Sequence, residues 1–343
     1  MIATDPSFDF QELLKESIGP YIKTWPHFTG MGRHVESNPI PFFILFLTIF
    51  SELQCQYLTA KNDDSWPDLS RQAVEMLERA RRTCKIPAKA GCHRRGHFTA
   101  LRCGVSHGGG QTLPRNLQND FPNDEVLAQL NQKPPFIRLS GFATSKHLGL
   151  QPVSTPQMRI HSAMTTFLTG VLAHWAPELH MYYANTLDTL HTHDRSLKRI
   201  FLTSVFAAST YNLGPRTVCF KHTDFTNLPF SMCTVTALGD FNPKKGSHLI
   251  LWECGLIIKF PPGSTILLPS ATILHSNVTV DRDECRYSFT QYMAGGLFRW
   301  VENGFQKSEE FRASLSPDEI VKQDEKYAKR WVWGLSLLPC FIL

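Results

Sequence analysis

The residues with the clearest capacity for chemistry lie between positions 222 and 275. The tripeptide His222-Thr223-Asp224 is followed, much later in the chain, by a solitary His275. Side chains alternate between the two faces of an extended strand, so His222 and Asp224 project to the same side. Two histidines and one carboxylate form the facial ligand set typical of non-haem Fe(II), which leaves metal positions open for a co-substrate and for dioxygen. The spacing therefore predicts a metal site with His222, Asp224 and His275 as ligands.

A cation and a hydroxyl follow the second histidine. Arg286 comes at the start of a predicted strand, and Ser288 lies on the same face of that strand. An arginine there can hold a carboxylate through two parallel hydrogen bonds while the serine donates another. The alternatives are a core histidine at 222, a loop histidine at 275 and a surface salt bridge at Arg286. The joint order of the five residues favours the metal site.

Other candidate sites have weaker patterns. The chain contains no GxSxG or HExxH motif, so serine hydrolase and zincin functions have no support. Cysteines and one histidine between residues 84 and 103 have an unusual spacing for zinc, and buried thiols are the simpler interpretation. A second cluster, interpreted as surface residues at a helix end, contains His180, His191, His193 and Asp194. His191 and His193 are two residues apart and so lie on different helical faces.

Positive charge is concentrated in one segment of the chain. The net charge is +5, yet residues 79–119 contain nine Lys/Arg and no acidic residue. Such a segment suits a polyanion, nucleic acid above all, although a solvated basic face or a disordered loop are alternatives. Within it, Ser106–Gly110 contains three consecutive glycines, which allow either a close approach of the backbone to a ligand or a plain turn.

Helical patterns flank this basic segment. Ser65–Asp68 resembles a capping box with proline in the first turn, and the apolar spacing after it predicts a helix over 66–83. Amphipathic patterns predict a helix over 164–172 and another beginning near Pro177, which together brace one face of a sheet. The apolar run Ile40–Phe50 is shorter than the roughly 20 residues of a membrane span, so it predicts a buried helix or strand.

Strand-like runs separated by turns dominate the C-terminal half. The predicted strands cover 217–221, 232–238, 248–252, 256–260, 265–268 and 287–293, and turns are predicted at 242–246 and 261–264. Many short strands at this spacing predict a barrel or jelly roll within an α+β fold. Nine scattered cysteines without a CxxC pair argue against a disulfide framework and favour a reducing, intracellular compartment. The apolar tail Trp331–Leu343 is expected to pack on the core or on a partner.

Four segments carry a family resemblance. Their sequences are FKHTDFTN (220–227), LGDFNPKKG (238–246), FPPGS (260–264) and YMAGGLFRW (292–300). The order His-x-Asp, distant His and Arg-x-Ser resembles that of the Fe(II)/2-oxoglutarate oxygenases. The four segments resemble, more specifically, the expanded fungal branch of the TET/JBP nucleic-acid-modifying oxygenases. The similarity covers residues 95–305 and is strongest over the last part of that range.

The resemblance implies a fold and a set of ligands. It implies a double-stranded β-helix (jelly-roll) core near residues 205–305, braced by helices. We expect an oxygenase domain over 121–343 with an extension at 306–343, and a basic region over 1–120 that packs on the core and contributes to substrate binding. His222, Asp224 and His275 would be the ligands of Fe(II). Arg286 would hold the distal carboxylate of 2-oxoglutarate with support from Ser288, and O2 would be the co-substrate.

The implied function is oxidation of 5-methylcytosine in DNA to 5-hydroxymethylcytosine, with further oxidation left open. A methylated base in a duplex must be flipped into a pocket. The expected substrate contacts are Arg94, Arg95, His107, Gly109 and Asn227. Alternatives are the same chemistry on 6-methyladenine, thymine or methylated RNA, and a non-catalytic nucleic-acid-binding module, against which the intact ligand set argues. Nuclear residence follows from the substrate, and no membrane association is expected.

Overall fold

The structure, a computed structural model, describes residues 65–144, 171–253 and 256–338. Its helices are α1 (Trp66–Thr83), α2 (Asp124–Gln132), α3 (Pro134–Thr144), α4 (Val171–Trp175), α5 (Pro177–His193), α6 (Gly295–Glu302), α7 (Ser308–Ser314) and α8 (Pro317–Ser336), with a 3-10 turn at Ala88–Gly91. Its strands are β1 (Thr99–Ser106), β2 (Arg115–Asn116), β3 (Ala208–Leu213), β4 (Cys233–Asp240), β5 (Leu249–Leu251), β6 (Leu256–Ile258), β7 (Thr265–Leu268), β8 (His275–Asn277) and β9 (Cys285–Tyr292). The combination is an α+β fold, as the sequence predicts.

Two antiparallel sheets are formed by the strands of the described residues. The larger has six strands in the order β2-β1-β3-β9-β4-β7, and the smaller has three in the order β6-β5-β8. Strand β9 lies between β3 and β4, so its residues are held on both sides: Arg286 pairs with Gly239 of β4, and Ser288 pairs with Asn212 of β3. Strand β1 lies within the basic region predicted over 1–120, yet it is part of the larger sheet. The double-stranded β-helix and the domain division at residue 120 stay predictions.

The main hydrophobic core lies between the helices and the six-stranded sheet. Helix α1 buries Leu69, Ala73 and Leu77 at the spacing that the sequence predicts, against core residues that include Tyr211 of β3 and Phe289 of β9. Full burial of one such leucine stabilises the fold by about 1.5–3 kcal/mol. A smaller cluster joins the two sheets, with members in β4, β5 and β7 and in the loops around them. This cluster positions the β5–β8 pair beside the larger sheet.

Two of the three predicted helices are confirmed. Helix α1 spans Trp66–Thr83 and α5 begins at Pro177. The predicted capping box at Ser65 is wrong, because its side chain makes no capping hydrogen bond and its Oγ instead accepts one from Arg138 Nη1 at 3.2 Å. Of the helix predicted over 164–172, only 171 and 172 are described, and they lie in α4. The Ile40–Phe50 run lies outside the described residues.

Five of the six predicted strands are confirmed as β4, β5, β6, β7 and β9. The predicted strand over 217–221 is wrong, because the one β-bridge of this segment, between Cys219 and Gly96, is isolated. The sequence does not predict β1, β2, β3 or β8. Every residue of β3 is buried, and a strand that is covered on both faces lacks the alternation of polar and apolar residues by which strands are recognised.

The C-terminal helix α8 packs on the core of the same chain. A Cβ at position 334 would lie 2.2 Å from the Phe230 ring, so Gly334 permits this close contact. Trp333 meets the same ring edge-on at 5.7 Å, and Arg330 pairs with Glu302 at 2.5 Å. The described part of the predicted apolar tail therefore packs on the core. None of the described helices is long and apolar enough to cross a membrane, and the six described cysteines are free.

Glu78 ties α1 to β9. Its carboxylate accepts a hydrogen bond from the Tyr287 hydroxyl and pairs with Arg81 and Arg82, each at 2.6 Å. The hydrogen bond from Arg81, opposed in part by burial, lowers the pKa of Glu78 to about 2. A carboxyl group in an unfolded chain has a pKa of about 4.3. The ionised Glu78 therefore stabilises the fold fully above that value, and this contribution is lost as the pH falls toward 2.

The substitution Glu78→Gln is expected to lower the free energy of unfolding at pH 7 by about 1.5–3 kcal/mol, because hydrogen bonds to a charged group are replaced by neutral ones. The difference from the natural protein should shrink as the pH is lowered from about 5 toward 2. Urea unfolding at several pH values measures it. Glu75→Gln is the control, since Glu75 is exposed and pairs only with Arg71 among the described residues. A pH-independent difference would contradict the prediction.

Candidate metal centre

Two backbone hydrogen bonds bring the predicted histidine ligands side by side. The His222 N–H donates to the His275 carbonyl at 3.1 Å, and the His275 N–H donates to the His222 carbonyl at 2.9 Å. His275 is the first residue of β8 and pairs with Leu251 of β5, whereas His222 lies in the segment after β3. The ring centroids lie 4.3 Å apart. Residues distant in sequence therefore meet through one local bridge.

Asp224 completes the group. Its Oδ1 lies 3.8 Å from Nε2 of His222, and its Oδ2 lies 4.0 Å from Nε2 of His275. The Asp224 N–H donates to the Ser270 carbonyl at 2.7 Å, which fixes the loop that carries the carboxylate. One ligand atom from each of the three residues lies within 4.8 Å of the other two, and in the described part of the chain this is the one such group of His, Cys, Asp and Glu.

Backbone carbonyls orient both imidazole rings. Nδ1 of His222 lies 2.6 Å from the Phe220 carbonyl, and Nδ1 of His275 lies 2.8 Å from the Ile273 carbonyl. A carbonyl can only accept, so each Nδ1 carries the proton and each Nε2 presents its lone pair. Burial, reinforced by the neighbouring His275, lowers the pKa of His222 and favours the neutral, metal-binding imidazole. Two such nitrogens and a carboxylate fit Fe(II) with open positions.

Arg286 is buried without an acidic partner. It is 3% exposed. Its Nε donates to Ser247 Oγ at 2.8 Å and its Nη1 donates to the Thr217 carbonyl at 3.0 Å. No Asp or Glu of the described residues pairs with its guanidinium, and burial lowers the pKa of Arg286 to about 10. An isolated buried charge is costly, so this position suits an anionic ligand.

Residues linked to this arginine, along β9 or by hydrogen bonds, also carry buried polar atoms. Ser288 Oγ accepts a hydrogen bond from Asn212 Nδ2 at 2.9 Å. Within the described residues, the Thr217 hydroxyl and Asn212 Oδ1 are buried and have no hydrogen-bond partner. Buried polar atoms are almost always hydrogen-bonded in proteins, so unpartnered ones mark room for a polar ligand. A carboxylate bound at Arg286 would find hydroxyl donors beside it.

The Thr217 carbonyl links the arginine to the metal ligands. It accepts from Arg286 Nη1 at 3.0 Å and from Nδ2 of Asn277 at 3.2 Å. Asn277 belongs to β8, two residues after His275. Its Oδ1 also accepts from the Cys219 N–H at 2.8 Å. The two parts of the candidate site are thus held together by one short chain of hydrogen bonds.

Two of the predicted substrate contacts lie against the loop that carries Asp224. Arg95 Nη1 is 3.8 Å from Asp224 Oδ1. Arg94 Nη1 donates to the Thr223 carbonyl at 3.3 Å, and its guanidinium lies 5.0 Å from the centroid of the Phe225 ring. Part of the basic segment therefore lies beside the metal ligands. The roles of Arg94 and Arg95 toward a substrate stay predictions.

The other three predicted contacts have different surroundings. Asn227 is buried, its N–H donates to the Asp224 carbonyl at 2.8 Å, and its Nδ2 donates to Ser270 Oγ at 3.2 Å. His107 is half-buried and meets Trp300 edge-on at 5.4 Å. Gly109 is exposed in the loop after β1, with a φ of 57° that favours glycine. Among these three residues, Asn227 contacts the loop that carries Asp224.

The histidine cluster interpreted as surface residues at a helix end needs correction. His180 is buried, not a surface residue, because it lies on the core-facing side of α5. His191 is half-buried, with Nδ1 3.0 Å from the Leu197 carbonyl.

The free charge of the basic segment is smaller than its composition indicates, since Arg81 and Arg82 pair with a glutamate one turn earlier. Five basic residues of the segment that are exposed and outside these pairs are Arg79, Lys85, Lys89, Arg94 and Arg115.

Comparison with known proteins gives a distant similarity at the level of structure. No protein-family model matches the chain, and no curated protein matches its sequence. Among solved structures, the chain is similar to NgTET1 in complex with 5mC DNA, with 12% sequence identity, a TM-score of 0.38 and coverage of 67% of this chain and 69% of that chain. A similarity this distant assigns neither a family nor an activity to the chain.

Proposed function

We propose that this protein is an Fe(II)- and 2-oxoglutarate-dependent dioxygenase that oxidises 5-methylcytosine in DNA to 5-hydroxymethylcytosine. One observation carries the proposal: a group of two buried histidines and a carboxylate is linked through Asn277 and the Thr217 carbonyl to Arg286, a buried cation without an acidic partner among the described residues. A metal ion and a dicarboxylic acid together satisfy both demands. The resemblance of residues 220–300 to the TET/JBP oxygenases supports the choice of chemistry.

Each residue then has a defined role. His222 and His275 would hold Fe(II) through Nε2, and Asp224 would hold it through its carboxylate. Arg286 would bind the distal carboxylate of 2-oxoglutarate, with support from the Ser288 hydroxyl. Iron bound there would supply dioxygen activation coupled to decarboxylation of 2-oxoglutarate to succinate. The protein holds the substrate methyl group close to the metal and keeps other groups away.

The nucleic-acid substrate is supported by charge near the metal ligands. A methylated base inside a duplex has to leave the stack to reach an enzyme pocket, and basic side chains hold the flanking phosphates. Arg94 and Arg95 contact the loop of Asp224, which suits them to that task. The proposal includes a double-stranded β-helix core near residues 205–305, an oxygenase domain over 121–343, and residence in the nucleus, where the substrate lies.

Nucleoside mass spectrometry tests the proposal. Methylated duplex DNA incubated with the protein, Fe(II), 2-oxoglutarate and ascorbate is expected to yield oxidised 5-methylcytosine together with succinate, because oxidation of the methyl group and decarboxylation of the co-substrate are coupled. DNA with 6-methyladenine and methylated RNA are assayed in parallel. Succinate without any change in 5-methylcytosine would keep the oxygenase and overturn the substrate. Absence of both products would favour a nucleic-acid-binding module on an oxygenase scaffold.

A further inference from the structure

Phe225 is an exposed aromatic ring next to a proposed metal ligand. It is 69% exposed and lies at a corner of the turn from Asp224 to Asn227, which the Asn227 N–H closes by donating to the Asp224 carbonyl at 2.8 Å. Turn corners ordinarily carry Gly, Pro, Asn, Asp or Ser, because those residues suit the backbone. An exposed phenyl ring adds almost no buried apolar surface to the fold. The ring is therefore available to a ligand.

Arg94 fixes the position of this ring. Its guanidinium lies 5.0 Å from the centroid of the Phe225 ring, within the range of a cation–π interaction. The same side chain donates to the Thr223 carbonyl at 3.3 Å, so it is anchored to the metal-ligand loop. With 69% of Phe225 still exposed, much of the ring surface stays open to solvent. A cation and an open aromatic surface thus lie together beside Asp224.

Lys221, the residue before His222, also pairs with an aromatic ring. Lys221 Nζ lies 4.4 Å from the centroid of the Trp252 ring. Trp252 Nε1 donates to Ser276 Oγ at 3.0 Å, and Ser276 is the neighbour of His275. The ligand pair His222 and Asp224 therefore lies between Lys221 and Phe225, each of which belongs to a pairing of a cation with an aromatic ring. Nucleic-acid strands, which alternate flat bases with phosphates, match this chemistry.

We propose that Phe225 stacks on a nucleobase of the substrate strand next to the base that is oxidised, while Arg94 contacts an adjacent phosphate. The inference rests on the proposed function, since it takes the substrate to be nucleic acid. When a base is extruded from a duplex, its neighbours lose a stacking partner. An aromatic ring at the mouth of the pocket replaces that partner, and stacking of this kind tolerates any base because every base has a π-face.

Binding of a fluorescent duplex that contains one 5-methylcytosine tests this role. The protein is loaded with Mn(II) and 2-oxoglutarate, so that no turnover occurs, and binding is followed by anisotropy. Phe225→Ala is expected to raise Kd by about 10-fold, and Phe225→Leu by nearly as much, because leucine keeps an apolar contact but cannot stack. Phe225→Trp is expected to keep Kd within about twofold. The salt dependence should stay unchanged in Phe225→Ala and fall by about one phosphate contact in Arg94→Gln.

Val332→Ala is the matched control, because Val332 is 70% exposed on α8 and lies outside the proposed interface. Thermal unfolding checks that each variant folds, and surface substitutions of this kind change stability little. If Phe225→Ala or Phe225→Leu binds as the natural protein does, stacking is wrong while the proposed function stands. If the natural protein binds no oligonucleotide and oxidises no base, the nucleic-acid substrate and this inference both fall.

Discussion

The double variant His222→Ala/Asp224→Ala is expected to lose stoichiometric Fe(II) and to form neither succinate nor an oxidised base. Two of the three ligand side chains are removed, and His275 alone cannot hold the ion. Loss of a residue that merely orients a ligand lowers metal affinity by about 10- to 100-fold, so loss of two ligands should exceed that range. Metal analysis after anaerobic loading with Fe(II) measures the effect directly, without reliance on turnover.

His193→Ala is the matched control for this result. His193 is an exposed histidine at the end of α5 that stacks on Phe305 at 3.6 Å and takes no part in the metal group. It should retain the full iron content. If the double variant and the control both kept one Fe(II) per chain, the metal assignment would be wrong. Near-ultraviolet circular dichroism shows whether each variant keeps its packed core.

Arg286→Met is expected to weaken 2-oxoglutarate binding by at least about 100-fold, since charge-assisted, two-pronged pairing with the distal carboxylate is lost. In the natural protein, 2-oxoglutarate at about 100 times its Kd should stabilise the fold by about 2.7 kcal/mol. The variant should show no such stabilisation at the same concentration. Thermal unfolding with and without 2-oxoglutarate, in the presence of Mn(II), measures both.

Arg286→Met also leads to an expected result for the stability of the unliganded protein. Arg286 is a buried charge without an acidic partner among the described residues, and replacing such a charge by an apolar side chain of similar size is often neutral or stabilising. Arg286→Met alone should therefore unfold at no lower a temperature than the natural protein. Arg216→Gln is the control, because Arg216 is exposed and donates to the Arg282 carbonyl at 2.8 Å. Equal stabilisation of both variants by 2-oxoglutarate would contradict the assignment.

The candidate ligands could be predicted because their signal is local. His222 and Asp224 are two residues apart, and Arg286 and Ser288 share one face of β9, a strand with a clear apolar pattern. The neighbours of Arg286 could not be predicted in this way. Thr217 offers a carbonyl that any residue would offer, and Ser247 reaches the arginine from a backbone position with a φ of 64°. Such contacts arise from tertiary packing and leave no periodic trace in the sequence.

Strands β1 and β3 could not be predicted from the sequence for a related reason. These two strands are neighbours in the larger sheet, and β3 consists of ASTYNL, in which polar residues are as buried as apolar ones. Burial of polar side chains depends on hydrogen bonds such as that of Asn212 to Ser288, which a single sequence does not reveal. Phe225 was likewise not predicted as a binding residue, because its significance lies in exposure, a property of the folded chain.

The Thr217 carbonyl has a thermodynamic consequence for any ligand that reaches both Arg286 and the histidines. One peptide group accepts hydrogen bonds from the arginine and from Asn277 of β8, so the spacing between the two halves is set when the chain folds. The entropy of bringing them together is lost at that stage and not on binding. A rigid dicarboxylic acid of matching length therefore binds a preorganised site. A longer or shorter acid binds more weakly, because the protein does not adjust the spacing to fit it.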